Sequence, residues 1–174
     1  MTNSPLLNMP LSPEIRAEWA EHLARPDIRS EDEGTVVMIF RLGAERFALP
    51  IDHVREVAPL GVIRPLPHAR DGLIQGLTNI HGRIQICVRL ERLLQVLPAQ
   101  ASELNRLLVI MQDNWCVAAM VDEVMGAETV TVRDQSPLPS THSGAVYADL
   151  WLEKWQAALL NASSLLAALR QHLR

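Results

Sequence analysis

The sequence has few of the features that define the common enzyme, membrane and nucleic-acid-binding classes. Its two cysteines, Cys87 and Cys116, lie within predicted apolar strands, a position that favours buried, reduced thiols. Its 16 basic and 20 acidic residues give a formal charge of −4, which argues against sequence-independent binding of nucleic acid. No apolar run is long enough to cross a bilayer, and the N-terminus lacks the pattern of a secretory signal. We therefore expect a cytoplasmic protein.

Recognisable catalytic and metal-binding motifs are also missing. The six histidines are scattered, and the chain has neither a Gly-x-Ser-x-Gly elbow nor a Walker-type phosphate loop. Asp122 and Glu123 are adjacent, so on a strand their side chains would point to opposite faces and could not act together as a catalytic acid–base pair. We expect a non-catalytic binding protein without metal or cofactor. The alternative is a small-ligand pocket formed by His53, His68 and His81.

Residues 71–94 contain two short apolar runs separated by glycines and Asn79. Glycine and asparagine tolerate positive φ and therefore occur where a chain reverses. The pattern predicts a strand, a tight turn from Asn79 to Gly82, a second strand, and a short helix from Leu90.

The first 33 residues differ in pattern from the rest of the chain. Ser12 and Pro13 predict the start of an amphipathic helix over residues 13–24, and an acidic linker follows it. The apolar stripe of this helix consists of Ile15, Trp19 and Leu23. It would pack against the domain of residues 34–174, or it would recruit another protein and make the chain a scaffold.

The C-terminal tail permits two interpretations. Residues 149–174 are rich in Leu and Ala, so propensity alone predicts one long helix. Residues 154–160 could instead form a closing strand, with a helix beginning at Ala162 and capped by Asn161. An apolar stripe would then be formed by Leu165, Leu166 and Leu169.

The pattern of apolar segments repeats at an offset of 70 residues. Residues 37–40 align with 107–110, 47–48 with 117–118, and 51–54 with 121–124. Three aligned segments indicate an internal repeat, and two related subdomains, each a small β-barrel without free edges, would fit it.

Several motifs that stand in order resemble the CheW family of chemosensory coupling proteins. They are the repeat, Val54-x-Glu56-Val57, the Pro-punctuated loop that ends at Pro67, and the turn from Asn79 to Gly82. The resemblance implies two five-stranded β-barrels around a shared core, flanked here by the N-terminal and C-terminal helices. It also implies a non-catalytic adaptor that joins the cytoplasmic hairpin tip of methyl-accepting chemoreceptors to the regulatory domain of a CheA-type histidine kinase, at membrane-associated arrays.

The resemblance also implies receptor-contact positions, whereas it assigns no kinase-binding residues. These positions are Val54, Glu56, His81, Leu107, Val124 and Ala127. Val54 and Leu107 would form an apolar groove for the receptor helix pair, and Glu56 and His81 would fix its register. The chain departs from the family pattern at three positions, where His81, Ile86 and Arg89 replace the usual Arg, Pro and Asp. These departures favour an alternative system of the Wsp surface-sensing type.

Overall fold

The structure, a computed structural model, describes residues 34–67, 72–97, 106–139 and 147–172. The strands and helix of the first half are β1 (Thr35–Leu42), β2 (Glu45–Pro50), β3 (Val54–Pro59), β4 (Ile63–Arg64), β5 (Ile74–Ile80), β6 (Arg83–Arg89) and α1 (Leu90–Leu93). Those of the second half are β7 (Arg106–Gln112), β8 (Trp115–Val121), β9 (Glu123–Val130), β10 (Gln135–Pro137), β11 (Ala148–Leu152), β12 (Ala157–Leu160) and α2 (Ala162–His172). The predicted helix at residues 13–24, with its stripe and the acidic linker, lies outside the described residues.

The strands form two six-stranded sheets whose orders match each other. One sheet runs β10-β11-β12-β2-β1-β9 and the other β4-β5-β6-β8-β7-β3, so at each place in the order the two strands are six apart in the chain. The helices also correspond, because α1 follows β6 and α2 follows β12. The predicted repeat is confirmed and covers every described strand. Each sheet has six strands rather than the predicted five because the short edge strands β4 and β10 are added.

Each sheet combines strands from both halves of the chain. Strands β1 and β2 of the first half lie in the sheet of β9–β12, and β7 and β8 of the second half lie in the sheet of β3–β6. Strand β1 pairs with β9, and β7 pairs with β3, both antiparallel. This exchange explains why the two halves share one core cluster.

Apolar side chains fill three clusters, one inside each barrel and one shared between them. Strand β7 shows the alternation: Leu107 and Val109 belong to the interior of its barrel, whereas Leu108 and Ile110 belong to the shared core. Because both faces of this strand are buried, its sequence is a continuous apolar run.

The turn between β5 and β6 is tighter than predicted. Asn79 and Ile80 still pair within the hairpin, so only His81 and Gly82 form the loop. Both have positive φ, 49° and 80° respectively, as a type I′ turn requires. His81 therefore lies at the tip of the hairpin.

The tail forms a strand followed by a helix, so the prediction of one long helix is wrong. Strand β12 pairs with β11 and also, in parallel, with β2. Asn161 Oδ1 then accepts a hydrogen bond from the backbone N–H of Ser164 at 3.0 Å, which confirms the predicted cap. The predicted stripe on α2 is fully buried. Neither α1 nor α2 has the length and apolarity needed to span a membrane.

Candidate functional site

Strand β3 is an edge strand with a β-bulge near its start. Val54 lies opposite Ile110 of β7, but Glu56 lies opposite Val109, so Arg55 is the extra residue. A bulge of this kind changes which later residues share a face. Val54 packs against the shared core.

Strand β9, the edge of the other sheet, carries a bulge at the corresponding place. Val124 lies opposite Phe40 of β1, Gly126 lies opposite Ile39, and Met125 is the extra residue. Val124 also packs against the shared core. The 70-residue offset therefore relates the two valines, the two bulges and the two edge positions.

Each bulge places residues three apart on the same face of its edge strand. Val57 lies opposite Leu108, whose side chain is in the shared core, and so it is on the face of Val54. By the same register, Ala127 is on the face of Val124. Val57 is 39% exposed, and Ala127 is also exposed. We call these four residues the edge surface.

The sequence interpretation missed Val57 and named Leu107 instead. Leu107 is fully buried inside the barrel of β3 and β7, so the predicted exposed groove of Val54 and Leu107 is wrong. The reason is that Leu107 lies opposite Ala58, on the other face of the sheet from Val54. The repeat held the missing signal, because an offset of 70 relates Val57 to the predicted Ala127.

Glu56 and His81 form a polar corner at the edge of the β3 barrel. His81 Nδ1 lies 3.0 Å from Glu56 Oε2, and the two side chains are 80% and 28% exposed. Because Glu56 lies opposite Val109, it is on the barrel-interior face and not on the face of Val54. The structure thus brings these two predicted site residues together, on the other side of β3 from the edge surface.

Arg55 completes this corner. Its Nε lies 4.0 Å from Glu56 Oε1, and its Nη1 lies 3.5 Å from Cys116 Sγ. The carboxylate of Glu56 thus has an imidazole near one oxygen and a guanidinium near the other. We refer to Arg55, Glu56 and His81 as the β3 corner.

The adjacent acids Asp122 and Glu123 reach the same arginine, so the prediction that they point apart is wrong. Arg41 Nη1 lies 3.8 Å from Asp122 Oδ2, and Arg41 Nε lies 3.1 Å from Glu123 Oε2. Asp122 falls between β8 and β9 rather than within a strand, which frees it from strand alternation. It also accepts a hydrogen bond from the backbone N–H of Gly43 at 2.6 Å. These acids have a structural role, because they fix the β1–β2 turn.

The histidines named for a ligand pocket do not share a described partner. His53 Nδ1 lies 3.2 Å from the carbonyl oxygen of Met111, His81 contacts Glu56, and His68 is not among the described residues. In the described part of the chain, no group of three or more His, Cys, Asp or Glu side chains could hold a metal ion.

The two thiols are free, as predicted, but only one is fully buried. Cys87 lies inside the barrel, and burial raises its pKa to about 12, although the nearby Arg89 lowers it. Cys116 is partly exposed, beside Arg55.

Two pseudo-symmetric barrels with a shared core and two similar apolar edges define a double β-barrel protein. The chain belongs to the CheW-like domain family, whose model matches residues 36–169. It is similar to "Protein FrzA" of Myxococcus xanthus, with 31% identity over 139 residues that cover 76% of this chain and 85% of the relative. It is also similar to "Chemotaxis protein CheW" of Rhizobium meliloti (strain 1021), with 28% identity over 110 residues, or 63% of this chain and 70% of that one.

A solved structure supports the same fold. The scaffolding protein TtCheW of Thermoanaerobacter tengcongensis superposes with a TM-score of 0.62 at 19% identity, over 73% of this chain and 87% of that protein. CheW-like proteins are non-catalytic scaffolds that work with receptors and CheA in chemosensory arrays. The predicted family, fold and adaptor function are therefore confirmed.

Proposed function

We propose that this chain joins the cytoplasmic hairpin tip of a methyl-accepting chemoreceptor to the regulatory domain of a CheA-type histidine kinase, and that it acts by binding alone. The observation that carries the proposal is the family match over residues 36–169, which includes the bulged edge strands β3 and β9. The chain would work on the cytoplasmic side of the membrane, within the receptor array.

The receptor would bind at the edge surface. Val54 and Val124 border the same shared core from two different sheets, and Val57 and Ala127 extend the apolar surface on either side. A helix pair that covers these side chains gains roughly 25 cal/mol for each Å² of apolar surface removed from water. Glu56 and His81 would then fix the register of the pair through polar contacts.

An adaptor needs a second surface for the kinase, and the outer face of β4, β5 and β6 offers one. Val62 and Ile84 are 77% and 71% exposed, which is unusual for large apolar side chains. With Leu77 they line a shallow cavity of about 370 Å³, together with Arg64, Thr78 and Asn79. We assign this face to the kinase, because an apolar surface of this kind is suited to packing against another folded domain.

Reconstitution of the three proteins tests the proposal. Full-length chain, a soluble receptor-tip fragment and the CheA-type kinase from the same genome should form a ternary complex, and the receptor should alter kinase autophosphorylation only when the chain is present. If the chain retains neither partner at micromolar concentration, the adaptor function is wrong. Genomic neighbours would test the finer placement in a Wsp-type system, which stays a prediction.

A further inference from the structure

The β3 corner contains one permanent cation, and it belongs to a residue that the bulge releases from strand pairing. Arg55 has no paired residue on β7, since the consecutive pairs between the two strands involve Val54 and then Glu56. Its guanidinium lies at the corner, and its side chain is 32% exposed. The imidazole of a histidine, by contrast, carries a charge only when it is protonated.

The Glu56 carboxylate is already occupied by groups of its own chain. His81 Nδ1 is 3.0 Å from one oxygen and Arg55 Nε is 4.0 Å from the other. A partner that approaches this corner would thus meet an anion whose charge is partly offset. It would also meet a guanidinium whose Nη1 and Nε are directed at Cys116 and Glu56.

A planar guanidinium has five N–H donors, so two contacts leave donors for a further acceptor. Within the part of the chain that the structure describes, the Nη2 group of Arg55 has no hydrogen-bond or ion-pair partner. The group that best complements a guanidinium is a carboxylate, which carries the opposite charge and can accept two parallel hydrogen bonds.

We infer that Arg55 is a specificity-determining residue that receives an Asp or Glu side chain of the receptor helix pair. Glu56 is then also a positioning residue, because its carboxylate lies beside the guanidinium at the corner. The inference rests on the proposed adaptor function and assigns the chemistry of one receptor contact: a carboxylate at the point where the helix pair passes the β3 bulge.

The test compares three variants of the full-length chain in binding to the receptor-tip fragment. Arg55→Gln removes the charge and should weaken binding about tenfold, since a hydrogen bond to a charged group is lost. Arg55→Lys keeps the positive charge but lacks the planar guanidinium, so it should lose less affinity for the receptor tip than Arg55→Gln does. Arg133→Gln, which removes an exposed arginine from the turn after β9, is the matched control and should bind as the unaltered chain does.

Salt dependence separates a charge contact from a structural role. The affinity of the unaltered chain should fall with rising salt, and Arg55→Gln should show a smaller fall, because an ion pair is screened by salt. Weaker binding with an unchanged salt dependence would mean that Arg55 only supports the local structure, and it would overturn the inference. Binding of Arg55→Gln equal to that of the control would overturn it as well.

A charge reversal identifies the receptor residue. The Arg55→Glu variant is tested for binding to receptor-tip fragments in which each acidic residue in turn is replaced by Lys. One of these replacements should restore binding. If none does, the assignment is contradicted. These outcomes differ from a failure of the adaptor function, in which the unaltered chain itself would not bind the receptor tip.

Discussion

Val54 and Val124 occupy equivalent positions in the two halves of the fold, and each immediately precedes a β-bulge in an edge strand that borders the shared core. The two residues lie 70 positions apart in the chain and on different sheets. The duplicated bulge gives each edge an apolar pair, Val54 with Val57 and Val124 with Ala127. A receptor that consists of two helices would thus meet two similar apolar edges.

The edge surface predicts separate effects for two exposed valines. Val57→Ser should weaken binding of the receptor tip about tenfold, because burial of a valine side chain contributes roughly 1.5 kcal/mol or more. Val62→Ser, at the outer face of β4, β5 and β6, should leave receptor binding unchanged and weaken binding of the kinase. Isothermal titration with each purified partner measures both, and equal effects of the two substitutions on the receptor would contradict the assignment of surfaces.

The β3 corner predicts a loss of receptor coupling without a loss of stability. Glu56→Lys replaces the carboxylate that contacts Arg55 and His81 by an ammonium group, so these contacts are lost and receptor binding should weaken. His81→Ala should weaken receptor binding less. The free energy of unfolding should change by less than about 1 kcal/mol, because the pair is partly exposed. Glu153→Lys, on an exposed turn, is the control. If this control impairs receptor binding as strongly as Glu56→Lys, the role of the corner is wrong.

Leu107 should affect stability and not recognition. Leu107→Ala removes a fully buried side chain and should lower the free energy of unfolding by roughly 2–5 kcal/mol. Leu97→Ala provides the contrast, since Leu97 is 84% exposed and its truncation should cost less than about 0.5 kcal/mol. Urea denaturation measures both values. A stable Leu107→Ala variant with lost receptor binding would restore Leu107 as a direct contact.

The two cysteines should differ in reactivity. Burial raises the pKa of Cys87 to about 12, so at pH 8 its thiolate is about a thousandfold rarer than that of a thiol with the ordinary value of 9.0. A thiol reagent should therefore modify the partly exposed Cys116 in the folded protein, and Cys87 only after unfolding. Cys116→Ser should abolish the native-state reaction. Its persistence would show that the barrel opens to expose Cys87.

Much of the fold could be predicted because it depends on local sequence patterns. The repeat appears in the sequence because corresponding strands have similar apolar segments, and the break between β12 and α2 appears because Asn161 is a good N-cap. Three of the four residues of the edge surface could be predicted. Val54, Val124 and Ala127 followed from the resemblance, whereas the register of β3 against β7 identified Val57.

The sequence by itself determined the class of fold, the twofold repeat and the absence of familiar catalytic motifs, since these depend on composition, period and spacing. Only the tertiary structure decided that the first two strands of each half join the sheet of the other half, that Leu107 faces the barrel interior, and that Glu56 lies on the opposite face of β3 from Val54. The physical reason is that a strand buried on both sides shows no alternation, and one bulge residue moves every later side chain to the other face.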